Sequence, residues 1–175
     1  MKTHALTIAC LLAATPVAAQ SVGEKTGANS LVGASPSTAD FVKEAGISDM
    51  FEMQSSQLAS ERSDAATKAF AKQMITDHQK TSSEMKGMVQ GGKVQATIPT
   101  ELDSTHQGKI DKLKGLQGND FTKQYHSDQV KAHKDAVDLF QRYAKGGDNS
   151  ELKGWAGKNA PTLEHHLKMA QDLDK

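Results

Sequence analysis

One cysteine, one tryptophan and two tyrosines are all that 175 residues contain of these types, and each scarcity removes a class of protein. A lone cysteine, Cys10, rules out a disulfide within the chain and any thiolate metal site built from paired cysteines. Aromatic residues make up 5% of the chain, while Ala, Lys, Gln, Asp and Met are plentiful, a composition that favours helices over sheets. Charge of one sign is also missing. Basic and acidic residues number 21 each, with no run of either, which argues against nucleic acid or an anionic membrane as the main partner. No G-x-G-x-x-G, P-loop or G-x-S-x-G pattern occurs, and Glu164-His165 lacks the second histidine that a zinc-protease helix needs. No catalytic residue is therefore assigned.

The start of the chain, MKTHALTIACLLAATPVAAQ, has the layout of a secretory signal. Lys2 is the charged head, Ala5 to Ala14 the short apolar stretch, and Val17-Ala18-Ala19 the small residues before cleavage. The stretch is too short for a membrane anchor, and no long apolar run follows it. Lipid attachment at Cys10 is disfavoured, since Thr7 stands where an aliphatic residue is normally needed. Residues 1–19 are thus expected to be a signal peptide, 20–37 a Gly/Ser/Ala-rich leader and 38–174 one folded domain, exported to the periplasm.

Within that domain the apolar residues recur at helical spacing. A first helix is expected from Ser37 or Thr38 to about Ser60, carrying Phe41, Ala45, Ile47, Phe51 and Leu58. Ser63 or Asp64 caps a second, which Gly91-Gly92 ends. A shorter helix carries Ile110, Leu113 and Leu116 and closes at Gly118. Asn119 or Asp120 caps the next, which runs from Phe121 to Ala144. A last segment starts near Ser150, and Pro161 either breaks it or begins a new helix. The expected fold is all-α: an antiparallel up-and-down four-helix bundle with short extra helices.

Three histidines fall on the apolar faces of three different helices: His78, His133 and His166. A single such histidine is ordinarily a hydrogen-bonded core residue. Three on three helices suggest more, because facing side chains in bundle cores are where metal sites are built, and imidazole suits zinc, copper and iron. Taking the first turn near residue 62 puts His78 roughly 24 Å along the second helix, level with about residue 46 of the first. Asp49 is then the nearer carboxylate, with Glu52 roughly 9 Å off that level, so either is a candidate fourth ligand. Asp77 lies about 100° round the helix from His78 and could orient a histidine of the adjoining helix. The usual di-iron pattern is absent, since Ile75, Val130 and Leu163 stand where a Glu-x-x-His motif needs its carboxylate. The pairs Met50/Met53 and Met85/Met88 offer thioethers to Cu(I), though methionine also fills gaps between helices.

The stretches FEMQSSQLA (51–59), KAFAKQMITDHQK (68–80), DFTKQYHSDQVKAHKDAVDLFQRYAKGGDNSELKGWA (120–156) and PTLEHHLKMAQDL (161–173) follow one another in a recognisable order. In them the chain resembles the secreted bacterial family called domain of unknown function 4142. That resemblance implies a ferritin-like four-helix bundle and export, with recurrent polar residues at Glu52, Asp77, His78, His133 and His166. It implies no activity. Members of the family are also described as outer-membrane proteins, which leaves outer-membrane association as the alternative location. Two functions are carried forward. One is a non-enzymatic periplasmic bundle acting in envelope stress or as an interaction module for an envelope protein. The other is a metal-binding protein holding a divalent zinc, copper or iron ion among its core histidines.

Overall fold

The computed structural model of the protein describes Ser30 and residues 33–175. The signal expected over residues 1–19, Cys10 and most of the leader lie outside the described residues. Among the described residues there are five helices and no strand. The fold is all-α, and residues 33–175 hold four long helices and one short one.

Four of the five helices start where a side chain satisfies otherwise unpaired N–H groups. α1, Thr38–Arg62, begins after Ser37, whose Oγ accepts the Asp40 N–H at 3.1 Å. α2, Ala65–Gln90, begins after Asp64, whose carboxylate accepts from the N–H groups of Ala66 and Thr67. Only Ser63 and Asp64 separate the two, so they form a tight antiparallel hairpin. α3, Ser104–Gly115, is capped by Asp103. α4, Gly118–Gly146, and α5, Ser150–Leu173, form the second hairpin, with Asn149 accepting from the Leu152 N–H.

Two boundaries differ from the expectation. α4 is preceded by Gln117, which makes no side-chain cap, rather than by Asn119 or Asp120. Gly118 does not close α3 but opens α4, and its φ of 52° lets the chain reverse at once. Pro161 neither breaks nor starts a helix, for α5 runs through it. The ring costs α5 the bond from residue 161 back to Gly157, and burial of Ala160, Leu163 and His166 around it holds the helix together. Within residues 33–175 the extra helices reduce to one, α3.

The long helices are arranged in the cyclic order α1, α2, α5, α4. Phe41 at the start of α1 stacks on Tyr143 at the end of α4, with ring centroids 4.2 Å apart. At the other end, Arg62 covers the ring of Phe121 at the start of α4. α1 and α5 therefore rise while α2 and α4 descend, and every neighbouring pair is antiparallel. Because α2 and α4 run the same way, the segment 91–117 must climb the whole bundle, and α3 lies within it against α1 and α4. One such long crossover is how ferritin-like bundles are connected. Its first half is seated where Pro99 packs on Gly46, and a Cβ on that glycine would come within 2.8 Å of the proline ring.

The core is divided into layers. At the base, Phe41, Val42, Ala45, Met85, Leu139, Phe140, Tyr143, Leu152 and Leu163 pack together. At the top the cluster is Ala59, Phe70, Ala71, Met74, Leu113, Phe121, Tyr125 and Ala170. On each long helix a polar residue is buried between these clusters, namely Glu52, His78, His133 and His166, beside a small third apolar cluster of Phe51, Ile110 and Ala132. Phe41 has no exposed surface and touches Tyr143, Phe140 and Trp155. Phe41→Ala is expected to cost about 3–5 kcal/mol in chemical denaturation. A loss under about 1 kcal/mol would mean that the base is not a close-packed core.

Candidate metal centre

The polar layer takes one side chain from each long helix. His78 comes from α2, one turn after Met74 on the buried strip, His133 from α4, His166 from α5 and Glu52 from α1. All four are at most 2% exposed. The three imidazole rings face one another with centroids 5.5–5.7 Å apart. One nitrogen from each ring lies within 4.8 Å of the other two.

The outer nitrogen of every ring has a partner. His78 Nδ1 lies 2.7 Å from Asp49 Oδ1, and His166 Nε2 lies 2.9 Å from Asp77 Oδ2. His133 Nδ1 lies 2.9 Å from the Gln129 carbonyl oxygen, one turn earlier on the same helix. Carbonyl and ionised carboxylate oxygens only accept, so each outer nitrogen carries the proton and donates it. The inner nitrogens, His78 Nε2, His133 Nε2 and His166 Nδ1, are thereby left as bare lone pairs. None of the three has a hydrogen-bond partner, nor does either oxygen of Glu52. Glu52 Oε1 stands 3.9 Å from His133 Nδ1, beside the three-nitrogen cluster rather than inside it. With His78 neutral and Glu52 ionised the layer is a set of acceptors, and a proton taken up by either of these two is its only donor.

Burial pushes the His133 imidazole down to about 3, helped by the neighbouring charge of His78 and then of His166. His166 is lowered too, by burial and His78, against the pull of Asp77. Burial alone would also lower His78. The hydrogen bond and charge of Asp49, joined by Glu52 and Asp77, outweigh it, so its net shift is upward. Glu52 is raised to about 7 by burial, with His78 and Gln129 drawing it back. His133 and His166 are thus kept neutral, the state in which imidazole ligates metal.

Asp49 and Asp77 stand behind the histidines, not among the inner nitrogens. Both oxygens of Asp49 are used: Oδ1 by His78, and Oδ2 by the hydroxyls of Thr81 and Ser82 at 2.9 and 2.8 Å. Asp77 holds His166 across the α2–α5 interface and also accepts from Gln73. The expected level of His78 on α1 is corrected by the position of the turn. With the hairpin centred between Ser63 and Asp64, the partner of residue 78 moves from about 46 to about 49. That brings Asp49 level with His78 and Glu52 within about one helical turn of it.

The Gln129 carbonyl escaped the sequence reading, because every helical histidine has a carbonyl four residues earlier and no side chain marks the one it uses. Thr81 and Ser82 were legible only once the hairpin register was known. Two other histidines show the contrast. His126 Nε2 pairs with Thr67 Oγ1 at 2.9 Å and His106 Nδ1 with Asp103 at 2.8 Å, both outside the layer.

Residues 23–173 match a family model described as a domain of unknown function (DUF4142). Neither a curated protein nor a solved structure gives a match.

The charges of the layer set a pH dependence. Glu52 and His78 have folded-state pKa values above their unfolded ones, so each binds protons more tightly when folded. The stability they contribute is complete below the unfolded pKa and is lost as pH rises through the folded one. His133 and His166 are depressed, and their contribution is lost instead as pH falls below the unfolded value of 6.5. Metal-free protein in chelator is expected to lose on the order of 1 kcal/mol between about pH 6.5 and 8.5. In Glu52→Gln most of that loss should vanish. Stability rising across the same interval in denaturant titrations would contradict the assignment.

Proposed function

The chain belongs to the domain-of-unknown-function family DUF4142, and on that footing we propose that it is a metal-binding protein holding one divalent d-block cation among His78, His133 and His166. The observation that carries this reading is the inward convergence of three lone pairs that no donor meets, each fixed by a proton donated outward. A buried polar atom without a partner costs roughly 1–3 kcal/mol, so a purely structural role gives no return for three of them side by side. A water molecule brings two donors. A cation satisfies every lone pair at once.

Three imidazoles with no thiolate suit zinc or Cu(II) rather than Cu(I). Glu52 supplies the oxygen that completes the set, moving in from beside His133, so that each long helix gives one ligand. The Asp49–His78 and Asp77–His166 pairs are the carboxylate–imidazole arrangement that orients metal-ligating histidines and raises their basicity. Four protein ligands leave no open position for a substrate, which favours holding over turnover. Carriage or sequestration of the metal is the resulting role. The signal-like pattern of residues 1–19 supports placing it in the periplasm, where an exported chain encounters free metal ions.

Thermal melting with and without Zn²⁺ tests the reading. A ligand that binds only the folded state adds roughly 2.7 kcal/mol at a hundredfold excess over Kd, a rise of roughly 5–10 °C for a domain of this size. His133→Phe is the informative variant, since it removes one inner lone pair while keeping a ring beside Phe70. Without metal it should melt within a few degrees of the unaltered protein, and the Zn²⁺-dependent rise should disappear. No rise in the unaltered protein across a series of Zn²⁺, Cu²⁺ and Co²⁺ would overturn the proposal.

A further inference from the structure

The inner nitrogens of the three histidines each expose less than 1 Å² of surface. A cation must therefore cross a wall of the bundle, and the walls differ. Toward α1 and α4 the layer is closed by Phe51, Ser55 and Gln129, all without exposed surface. Met74 and Tyr125 seal it above, and Met85 seals it below. The α2–α5 side is unlike these. A cavity of about 170 Å³ lies there, with His78 and His166 in its lining and Asp77, Thr81, Asn159 and Thr162 around them. Lys80 and Leu163 complete the lining, and the partly open rim carries the Asp77 carboxylate, its side chain 26% exposed, together with the Lys80 charge.

The three rings are also held unequally. His78 is fixed by a buried carboxylate that two hydroxyls fix in turn. His133 is tied to its own helix, at the closed side of the layer. His166 is tied from outside by one contact to a partly exposed residue, Asp77. It is the only one of the three that can be released without breaking a buried network.

Resting on the metal-binding reading, we propose that the cation enters and leaves through the α2–α5 cleft, with His166 as the ligand that swings aside and Asp77 as the latch that holds it. The Asp77 carboxylate and the Thr81 hydroxyl replace waters that an incoming hydrated divalent ion sheds, while Thr162 and Asn159 only wall the passage. The imidazoles then take it from this outer station. Release reverses the order, and the Asp77–His166 hydrogen bond sets how often the way is open.

Co²⁺ tests this, because its visible spectrum reports tetrahedral nitrogen and oxygen ligation directly. Stopped-flow mixing follows loading of the full chain, and transfer to excess chelator follows release. Thr162→Trp fills the cleft from an exposed rim position and touches no ligand. It should leave the equilibrium affinity within about twofold and slow both loading and release by about tenfold or more. Asn159→Trp is the second plug should the first alter the helical circular dichroism. Asp77→Ala should release Co²⁺ on the order of tenfold faster. Unchanged rates in a plugged variant whose Co²⁺ spectrum is intact would overturn the route. No visible spectrum in the unaltered chain would defeat the metal-binding reading itself, a separate result.

Discussion

An ionisable layer at mid-height of an apolar bundle is the constraint on which the rest of this structure depends. Three imidazoles and a carboxylate, all buried, have to be compensated from within, because desolvation makes any uncompensated charge or lone pair costly. The compensation is asymmetric. The outer nitrogen of each ring is satisfied by a partner that can only accept, and that choice leaves every inner nitrogen as an acceptor. Stability alone would favour apolar side chains at these four positions. Their presence is what points to a ligand.

The two apolar layers make the polar one tolerable. Stacked rings at the base and the Phe70–Tyr125–Phe121 group at the top fix the spacing and rotation of the long helices. With both ends fixed, the middle cannot collapse to let the histidines find other partners. The long crossover contributes in the same way. By returning from the base to the top outside the bundle, and by packing Pro99 on Gly46 and α3 on α1, it closes the side nearest Glu52. Among the described residues the side between α2 and α5 has no such cover, and the cleft lies there.

The convergence of His78, His133 and His166 changes the order of the two functions expected from the residues. A plain interaction module needs no shared polar centre, and nothing in the missing catalytic motifs or balanced charge distinguishes it from a metal carrier. The distinguishing feature is the direction in which three lone pairs face. That direction depends on proton positions, which follow from hydrogen-bond partners on other helices, or, for His133, from a carbonyl of its own.

Much of the fold was legible in the residues. The apolar spacing, the caps at Ser37 and Asp64 and the glycines at 91 and 92 are local signals, and each acts within one or two turns of the helix that it bounds. Where a boundary escaped, at Gln117–Gly118 and at Pro161, packing against other helices outweighed the local preference. The histidines stood out too, because a polar residue interrupts an apolar strip in the sequence itself. Their meeting did not. Helix spacing gives a side chain its face and its height, but only the hairpin register, the crossover and the order of helices around the bundle bring four faces together at one height. A displacement of the turn by about one and a half residues shifts the facing position by about three, roughly 4.5 Å, more than a hydrogen bond spans. Sequence alone therefore determined which apolar residues and which histidines line the buried faces, and on which helices. Tertiary structure decided that Asp49 braces His78, that Asp77 braces His166, and that the three lone pairs share one centre.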